Sequence, residues 1–322
     1  MCFFFNKFWV NIKLHILLLK NTLYKLQIVF LLFTSIFLNA QSNFEISSPE
    51  SQGFSSEKLM LLNQAMHSYV DNNELSAIQT AIVKNGKLIH FDSYGCSDIS
   101  ENNELKSDDI FRIASMTKPI VSLALMKLYE EGKFKLNDPV YKYIPEFKNL
   151  TVKKRKKTKP VKNHVKVIDL LRHSAGLNFK GPEDYRKVIN MNLEEYTKDA
   201  AKTPLKFEPG TTWWYSSSTD ICGYLIEVLS GQKLDVFLKK NIFDPLKMDD
   251  TFFELPKNKI DRLTTLYVAG ENKELVSFDN KSKTRERLSE KLCSTEIILN
   301  LYNEKLKSCN IEYSLPSVST ER

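Results

Sequence analysis

From Phe44 onward short apolar runs alternate with polar, turn-forming stretches, and the period of each run predicts its element. Leu59, Leu62, Met66 and Tyr69 recur at helical spacing behind Ser55, which stands where an N-cap belongs. Ile78–Val83 and Leu88–Phe91 predict two strands, and Asn85-Gly86 between them is a two-residue hairpin turn. Ile120–Leu128 is a long apolar run with Pro119 just before it, where a missing N–H costs nothing, and Gly132 just after it. The run predicts a helix over 117–131, apolar on nearly every face and therefore buried. Leu136–Val140 predicts a turn leading into Tyr143–Phe147, and Val167–Leu177 a short helix stopped by Gly176. Pro209-Gly210 makes a turn ahead of the aromatic cluster Trp213-Trp214-Tyr215, which sets Tyr215 at a loop edge. Ile221–Leu229 is an apolar helix ending at Gly231, and Asn241–Met248 closes the segment. The chain holds no internal repeat and no low-complexity linker.

Charge changes this picture in two places. Residues 153–166 carry seven lysines and one arginine without interleaved aromatics. They predict a solvated loop, the alternative being a patch for acidic polymers or a membrane surface. The first forty residues hold four lysines and no acid; without them 42 basic residues face 39 acidic ones, and the net charge falls from +7 to +3. That balance gives no signal for nucleic acid. Within the leader an apolar run of eleven, Ile28–Leu38, follows Lys20 and Lys25 and precedes Ala40, while a second apolar patch lies at Ile16–Leu19. The run is short for a transmembrane span. Residues 1–40 are expected to be a signal peptide cleaved near Ala40, leaving a secreted or periplasmic domain of residues 41–322 without a membrane span. An uncleaved anchor or a different start site is the other reading. Cys96, Cys222, Cys293 and Cys309 match no metal spacing and are read as ordinary residues, and the five histidines form no ligand cluster, so neither a metal nor a cofactor is expected.

The candidate chemistry lies in Phe111–Pro119, which contains Ser115-x-x-Lys118. Residues three apart share one side of a helical turn. A serine hydroxyl becomes a nucleophile when a neighbouring base takes its proton. A lysine one turn on is such a base where desolvation disfavours the ammonium form, and a helix start also points backbone N–H groups outward, as an oxyanion site needs. The same tetrad occurs at Ser55–Lys58 and Ser230–Lys233, so spacing alone leaves a helix-cap reading of Ser115 open. Ser-x-x-Lys is also the arrangement of penicillin-recognising enzymes.

Five blocks together go further. Phe111–Pro119, Leu136–Phe147, Asp169–Leu177, Pro209–Gly223 and Ile242–Thr251 come in the order and at roughly the spacing of the serine β-lactamase-like family. That family includes class C β-lactamases, D-alanyl-D-alanine carboxypeptidases and related esterases. The resemblance covers 44–279 and is weak over 280–322. It implies an α/β fold of α+β type, with an antiparallel sheet covered by helices, a mostly helical lobe and the site between them. It assigns Ser115 as nucleophile, Lys118 as the lysine sharing its proton, and Tyr215 as the tyrosine that assists as base and protonates the leaving group. A tyrosine does this at neutral pH when nearby cations lower its pKa from about 10, and Lys118 is the candidate.

Two departures from the family pattern shape the expectation. Where the family often has Tyr-x-Asn, this chain has Tyr215-Ser216-Ser217. Ser217 thus takes the substrate-binding position without the amide, as in the esterase-like branch. The family's Lys-Thr-Gly or His-x-Gly strand has no counterpart after Gly270; Ser289–Thr295 echoes the glycine-rich loop without its glycines, and Leu315-Pro316-Ser317 echoes the segment beyond. The final sheet strands are therefore expected to be missing. Three readings follow: a working serine hydrolase acting through an acyl-enzyme on a small-molecule or peptidoglycan-like ester or amide; a truncated member with impaired turnover; or a cell-wall-binding pseudoenzyme. The sequence fixes no oligomeric state.

Overall fold

The computed structural model describes residues 45–178 and 191–278. The expected leader, its cleavage point near Ala40, and residues 280–322 with Cys293, Cys309 and Leu315-Pro316-Ser317 lie outside the described residues. Two compact units divide the chain, Met1–Ile46 and Ser47–Arg322; of the first, only the two-residue strand Glu45–Ile46 is described.

In the second unit a 3-10 turn, Glu50–Gln52, leads into helix α1, Ser56–Asp71. Ser55 caps it by accepting a hydrogen bond from the Lys58 N–H, so this Ser-x-x-Lys is a cap, as expected. Strands β1, Ala77–Lys84, and β2, Lys87–Asp98, then pair antiparallel around Asn85-Gly86, with Lys84 opposite Lys87. Both turn residues have positive φ, 50° and 74°, which asparagine and glycine tolerate. The hairpin outruns the apolar runs that predict it, and the far end of β2 pairs with β3, Asn103–Glu104. Helix α2 spans Thr117–Glu130.

The helical lobe is organised around α5, Ser218–Ser230, which packs on α2, on α3 (Val167–Leu171), on α4 (Leu193–Lys202) and on α6 (Leu234–Leu238). Its core joins Leu125 and Leu128 of α2 to Ile221, Leu225 and Ile226 of α5, with Val140, Ile144 and Phe147 from the 3-10 turns between. Each fully buried aliphatic side chain of this kind contributes about 1.5–3 kcal/mol. Gly231 ends α5 in the left-handed conformation, where the sequence places its stop.

Three expectations need correction. First, α2 is two-sided: Val121, Ala124, Leu125 and Leu128 are buried, while Leu123 is 52% exposed. Spacing of three and four selects a single stripe, so a continuous apolar run still buries one face. Second, the basic stretch contains a hairpin, β4 (Thr151–Lys154) with β5 (Lys157–Pro160). Val152 is buried beneath it while Lys153 and Lys154 stay in solvent. The β-branched residues Thr151 and Val152 on one strand and Thr158 on the other favour strand pairing, a signal that counting charge alone passes over. Third, α3 ends at Leu171, and Gly176 is not its stop. Gly176 has φ 80°, and a Cβ there would come within 2.5 Å of the Phe207 carbonyl oxygen. Its place is a close crossing of two chain segments, which matters for the site.

The sheet and lobe with these helices give the α/β architecture expected. Hairpin β6 (Tyr267–Ala269) with β7 (Leu275–Ser277) ends the described residues. Among those residues no helix is long and apolar enough to cross a membrane.

Candidate active site

Ser115 is positioned by a chain segment tied down far along the sequence. The Ile110 N–H donates to the Arg262 carbonyl at 2.7 Å, and the Thr264 N–H donates back to the Ile110 carbonyl at 2.9 Å. The Arg112 guanidinium donates to the Thr264 carbonyl at 2.8 Å. The chain then turns sharply at Ala114, whose φ of 40° is left-handed and strained for a residue with a Cβ. A 3-10 turn, Ala114–Met116, follows and runs directly into α2. Ser115 is exposed on this turn, and Lys118, on the first turn of α2, donates from Nζ to Ser115 Oγ at 3.2 Å. The predicted Ser-Lys pairing is therefore present, with a 3-10 turn between nucleophile and helix.

Tyr215 comes from the other side, 100 residues on. The loop that carries it is laced to residues 173–176. Lys206 N–H donates to the Gly176 carbonyl at 2.8 Å, Gly210 N–H to Ser174 at 2.8 Å, and Trp214 N–H to His173 at 2.9 Å. The crossing at Gly176 is what allows this lacing. Residues 173–176 are in turn fixed by the buried carboxylate of Asp169, which accepts from the Lys166 N–H, the Ser174 hydroxyl and the Arg172 guanidinium at 3.0, 2.9 and 2.8 Å. So held, Tyr215 Oη donates to Ser115 Oγ at 2.7 Å, and Lys118 Nζ lies 4.7 Å from the phenol centroid.

The electrostatics suit proton transfer. Burial alone would raise the Tyr215 pKa, but hydrogen bonding to Lys118 and Ser115 and the Lys118 charge outweigh it, and the net shift is downward from 10.0. The His173 ring stacks on the Tyr215 ring, with centroids 4.9 Å apart and planes at 28°. Burial, with Lys118 nearby, holds His173 below its usual range. Lys206 sits 3.4 Å from the Trp214 centroid, and its own desolvation lowers its pKa.

The structure thus brings Ser115, Lys118 and Tyr215 together. Ser217, assigned to substrate binding, is a buried N-cap residue of α5, two residues past Tyr215, and its carbonyl accepts from the Asp220 N–H at 3.1 Å. The third tetrad is bland: Ser230 Oγ accepts from the Gln232 N–H at the end of α5. Sequence reasoning missed His173 and the Arg112–Thr264 tie. His173 had one usable signal, its place before Ser-Ala-Gly in a block shared with the family. The Arg112 tie had none, because its partner lies 152 residues away. Among the described residues no cluster of three or more His, Cys, Asp or Glu could hold a metal ion. Cys222 is buried and its thiol is pushed up to about 12 by that burial, which makes it inert at neutral pH.

An exposed serine bonded to both a lysine and a tyrosine, on a sheet-and-helix fold, defines the penicillin-binding-protein-like class. A family model described as Beta-lactamase matches residues 62–294, and the chain belongs to the Beta-lactamase family. It is similar to Esterase EstB of Burkholderia gladioli, 29% identical over 184 residues, covering 53% of this chain and 45% of that protein. It is also similar to a Putative D-alanyl-D-alanine carboxypeptidase of Salmonella typhimurium strain LT2, 31% identical over 221 residues, covering 64% of this chain and 50% of that protein. The chain spans about half the length of the curated relatives it matches. Among solved structures, EstCE1, described as a hydrolase with promiscuous acyltransferase activity, superposes with a TM-score of 0.62 at 24% identity, over 69% of this chain and 59% of its own. FmtA from Staphylococcus aureus gives 0.57 at 24% identity, over 74% of this chain and 61% of its own. These two likenesses concern the fold.

Proposed function

We propose that this chain is a serine acyl hydrolase that works through an acyl-enzyme on Ser115, esterase-like rather than a true β-lactamase. The observation that carries the reading is the pair of hydrogen bonds on Ser115 Oγ, from Tyr215 at 2.7 Å and Lys118 at 3.2 Å. In the reaction, the Tyr215 phenolate takes the Ser115 proton as Oγ attacks the acyl carbon, and the Lys118 charge stabilises that phenolate. The tetrahedral oxyanion collapses, Tyr215 returns the proton to the leaving alkoxide, and the acyl group stays on Ser115. Water then repeats the sequence with Tyr215 as base. No step calls for a metal or cofactor.

The esterase-like preference rests on Tyr215-Ser216-Ser217, which offers no amide at the family's asparagine position, and on the similarity to Esterase EstB. The substrate is a small acyl ester, with a peptidoglycan-like acyl donor as the wider class, and no nucleic acid is involved. The leader at residues 1–40 supports work outside the cytoplasm, with Gln41 as the first residue of the exported form. N-terminal mass analysis of the exported protein checks that point.

The deciding experiment is labelling with a fluorophosphonate or a tagged penicillin, followed by peptide mass spectrometry. Ser115 is expected to be the labelled serine, and Ser115→Ala to take no label. Label retained on another serine in Ser115→Ala overturns the assignment. Label on Ser115 without hydrolysis of a chromogenic ester would make the chain an acyl acceptor that does not turn over.

A further inference from the structure

One residue grips three successive residues of the tyrosine loop. The His173 carbonyl accepts the Trp214 N–H at 2.9 Å, its ring face stacks on Tyr215 at 4.9 Å, and its Nδ1 accepts the Ser216 N–H at 3.3 Å. We propose that His173 is a positioning residue for Tyr215, aiming the phenol at Ser115 through the acceptor at Nδ1 and the stacked ring. The inference rests on the catalytic role proposed for Tyr215.

A backbone N–H can only donate, so the bond to Ser216 requires an unprotonated Nδ1. His173 must therefore be a neutral imidazole for the grip to hold. Its surroundings keep it so. The ring is half-buried, and Lys118 from α2 presents a positive charge to it; burial first, then that charge, hold its pKa below 6.5. Among the described residues the other titratable group against it is Tyr215. Asp220, at the start of α5, acts on Tyr215, and Arg172, next in sequence, is turned to Asp169 and Ser174. The backbone of His173 is pinned as well: at a left-handed φ of 56° its N–H donates to the Leu170 carbonyl at 3.2 Å and its carbonyl accepts from the Trp214 N–H.

Protonation would replace the acceptor with an N–H facing the Ser216 N–H, and would set a second cation beside Lys118. The grip on Ser216 would open and Tyr215 would lose its aim. Acylation of Ser115 should then fall away on the acid side, with a midpoint below 6.5 that belongs to His173.

Two substitutions separate this role from simple support of the fold. His173→Gly removes ring and acceptor while accepting the left-handed backbone. His173→Asn restores an acceptor near the Nδ1 position and also tolerates that backbone. Each is compared with the parent for acylation rate against pH and, by nuclear magnetic resonance with tyrosine Cζ labelling, for the Tyr215 titration midpoint, assigned with Tyr215→Phe. Expected are a loss of about tenfold in acylation for His173→Gly, the scale of one lost positioned hydrogen bond, and a Tyr215 midpoint moved up toward 10 as the phenol leaves Lys118. His173→Asn should recover most of the rate, keep the Tyr215 midpoint near that of the parent, and lose the acid limb. In the parent, imidazole nitrogen shifts at neutral pH should show Nδ1 without a proton. A protonated Nδ1, a Tyr215 midpoint unmoved in folded His173→Gly, or an acid limb unchanged in His173→Asn overturns the proposal. If Ser115 of the parent takes no probe at all, the functional reading fails by itself, and the tyrosine resonance still decides whether His173 positions Tyr215.

Discussion

Ser115 Oγ has two donors on it at once, and Lys118 Nζ also lies close to the Tyr215 ring, so in the proposed reaction lysine and tyrosine serve one proton path. Groups that act as a unit lose activity together and not in proportion. Lys118→Ala and Tyr215→Phe should each lower acylation of Ser115 by about 10²–10⁴, the range for a positioned acid–base group, and the double variant should fall little further. Single-turnover labelling measures all three, and near-additive losses in log rate would assign the two residues separate tasks. The lowered Tyr215 pKa sets the sign of the pH dependence. In the proposed reaction phenolate is the reactive form, so acylation should rise with pH and level off at a midpoint below 10, a rise absent in Tyr215→Phe. At this scale the sequence was legible where chemistry leaves a short pattern, in Ser115-x-x-Lys118 and in Tyr215-Ser216-Ser217. On His173 it offered only the place before Ser-Ala-Gly, because this residue contributes through a backbone carbonyl, a ring face and one lone pair. None of these forms a motif with its neighbours.

Among the elements, the turns between helices carry the sharpest demands. Asp138 follows α2 and gathers the Lys135 N–H at 3.0 Å, the Tyr143 hydroxyl at 2.6 Å and the Lys142 ammonium at 3.0 Å. The Tyr143 and Lys135 bonds, with smaller help from Lys142 and against some burial, lower its pKa to about 2 from 3.8. A carboxyl lowered on folding stabilises the folded state above its unfolded value, and the effect is lost as pH falls from 3.8 through about 2. Asp138→Asn should therefore cost about 1–2 kcal/mol at pH 7, after allowance for solvent screening. The gap between variant and parent should close near the acid end when urea unfolding is followed against pH. Gly176→Ala should cost about 2–4 kcal/mol, from a strained left-handed backbone and a forced separation of two crossing segments; its melting temperature, with Ala175→Gly as a control, checks this. Periodicity announced α1, the first hairpin and α5 because each has a strong local signal. It overstated the burial of α2 and hid the β4–β5 hairpin beneath its lysines, since an apolar run does not say which face finds a partner and a charge run does not exclude strand pairing.

For the molecule as a whole, the nucleophile turn depends on a distant segment. Arg262 reaches the Asp108 carbonyl from Nε at 2.9 Å and also from its terminal nitrogen, and pairs with the Asp250 carboxylate at 2.6 Å. Through the neighbouring ties of Ile110 and Arg112 to residues 262–264, this cluster sets where Ser115 emerges. Arg262→Ala should speed amide exchange in peptides spanning 108–113 and 262–266 together, and slow acylation, while leaving exchange in α5 unchanged; exchange confined to one of the two peptides would show that they are not coupled. No reading of the chain in order could have supplied this tie, because the partners share no local pattern and meet only in the folded state. The tyrosine loop follows a different logic with a consequence for descent. His173 holds it by main-chain groups at 214 and 216, by the ring stacked on Tyr215, and by a longer edge contact with Trp213. Trp213 and Trp214 are both exposed, and their rings lean on His173 and Lys206, at 6.4 and 3.4 Å, and not on the hydrogen bonds that join Tyr215 to Ser115. Exchange of either indole leaves the main-chain grip at 214 and 216 in place, so under the proposed function this loop is where a new substrate preference can be acquired without re-aiming the phenol.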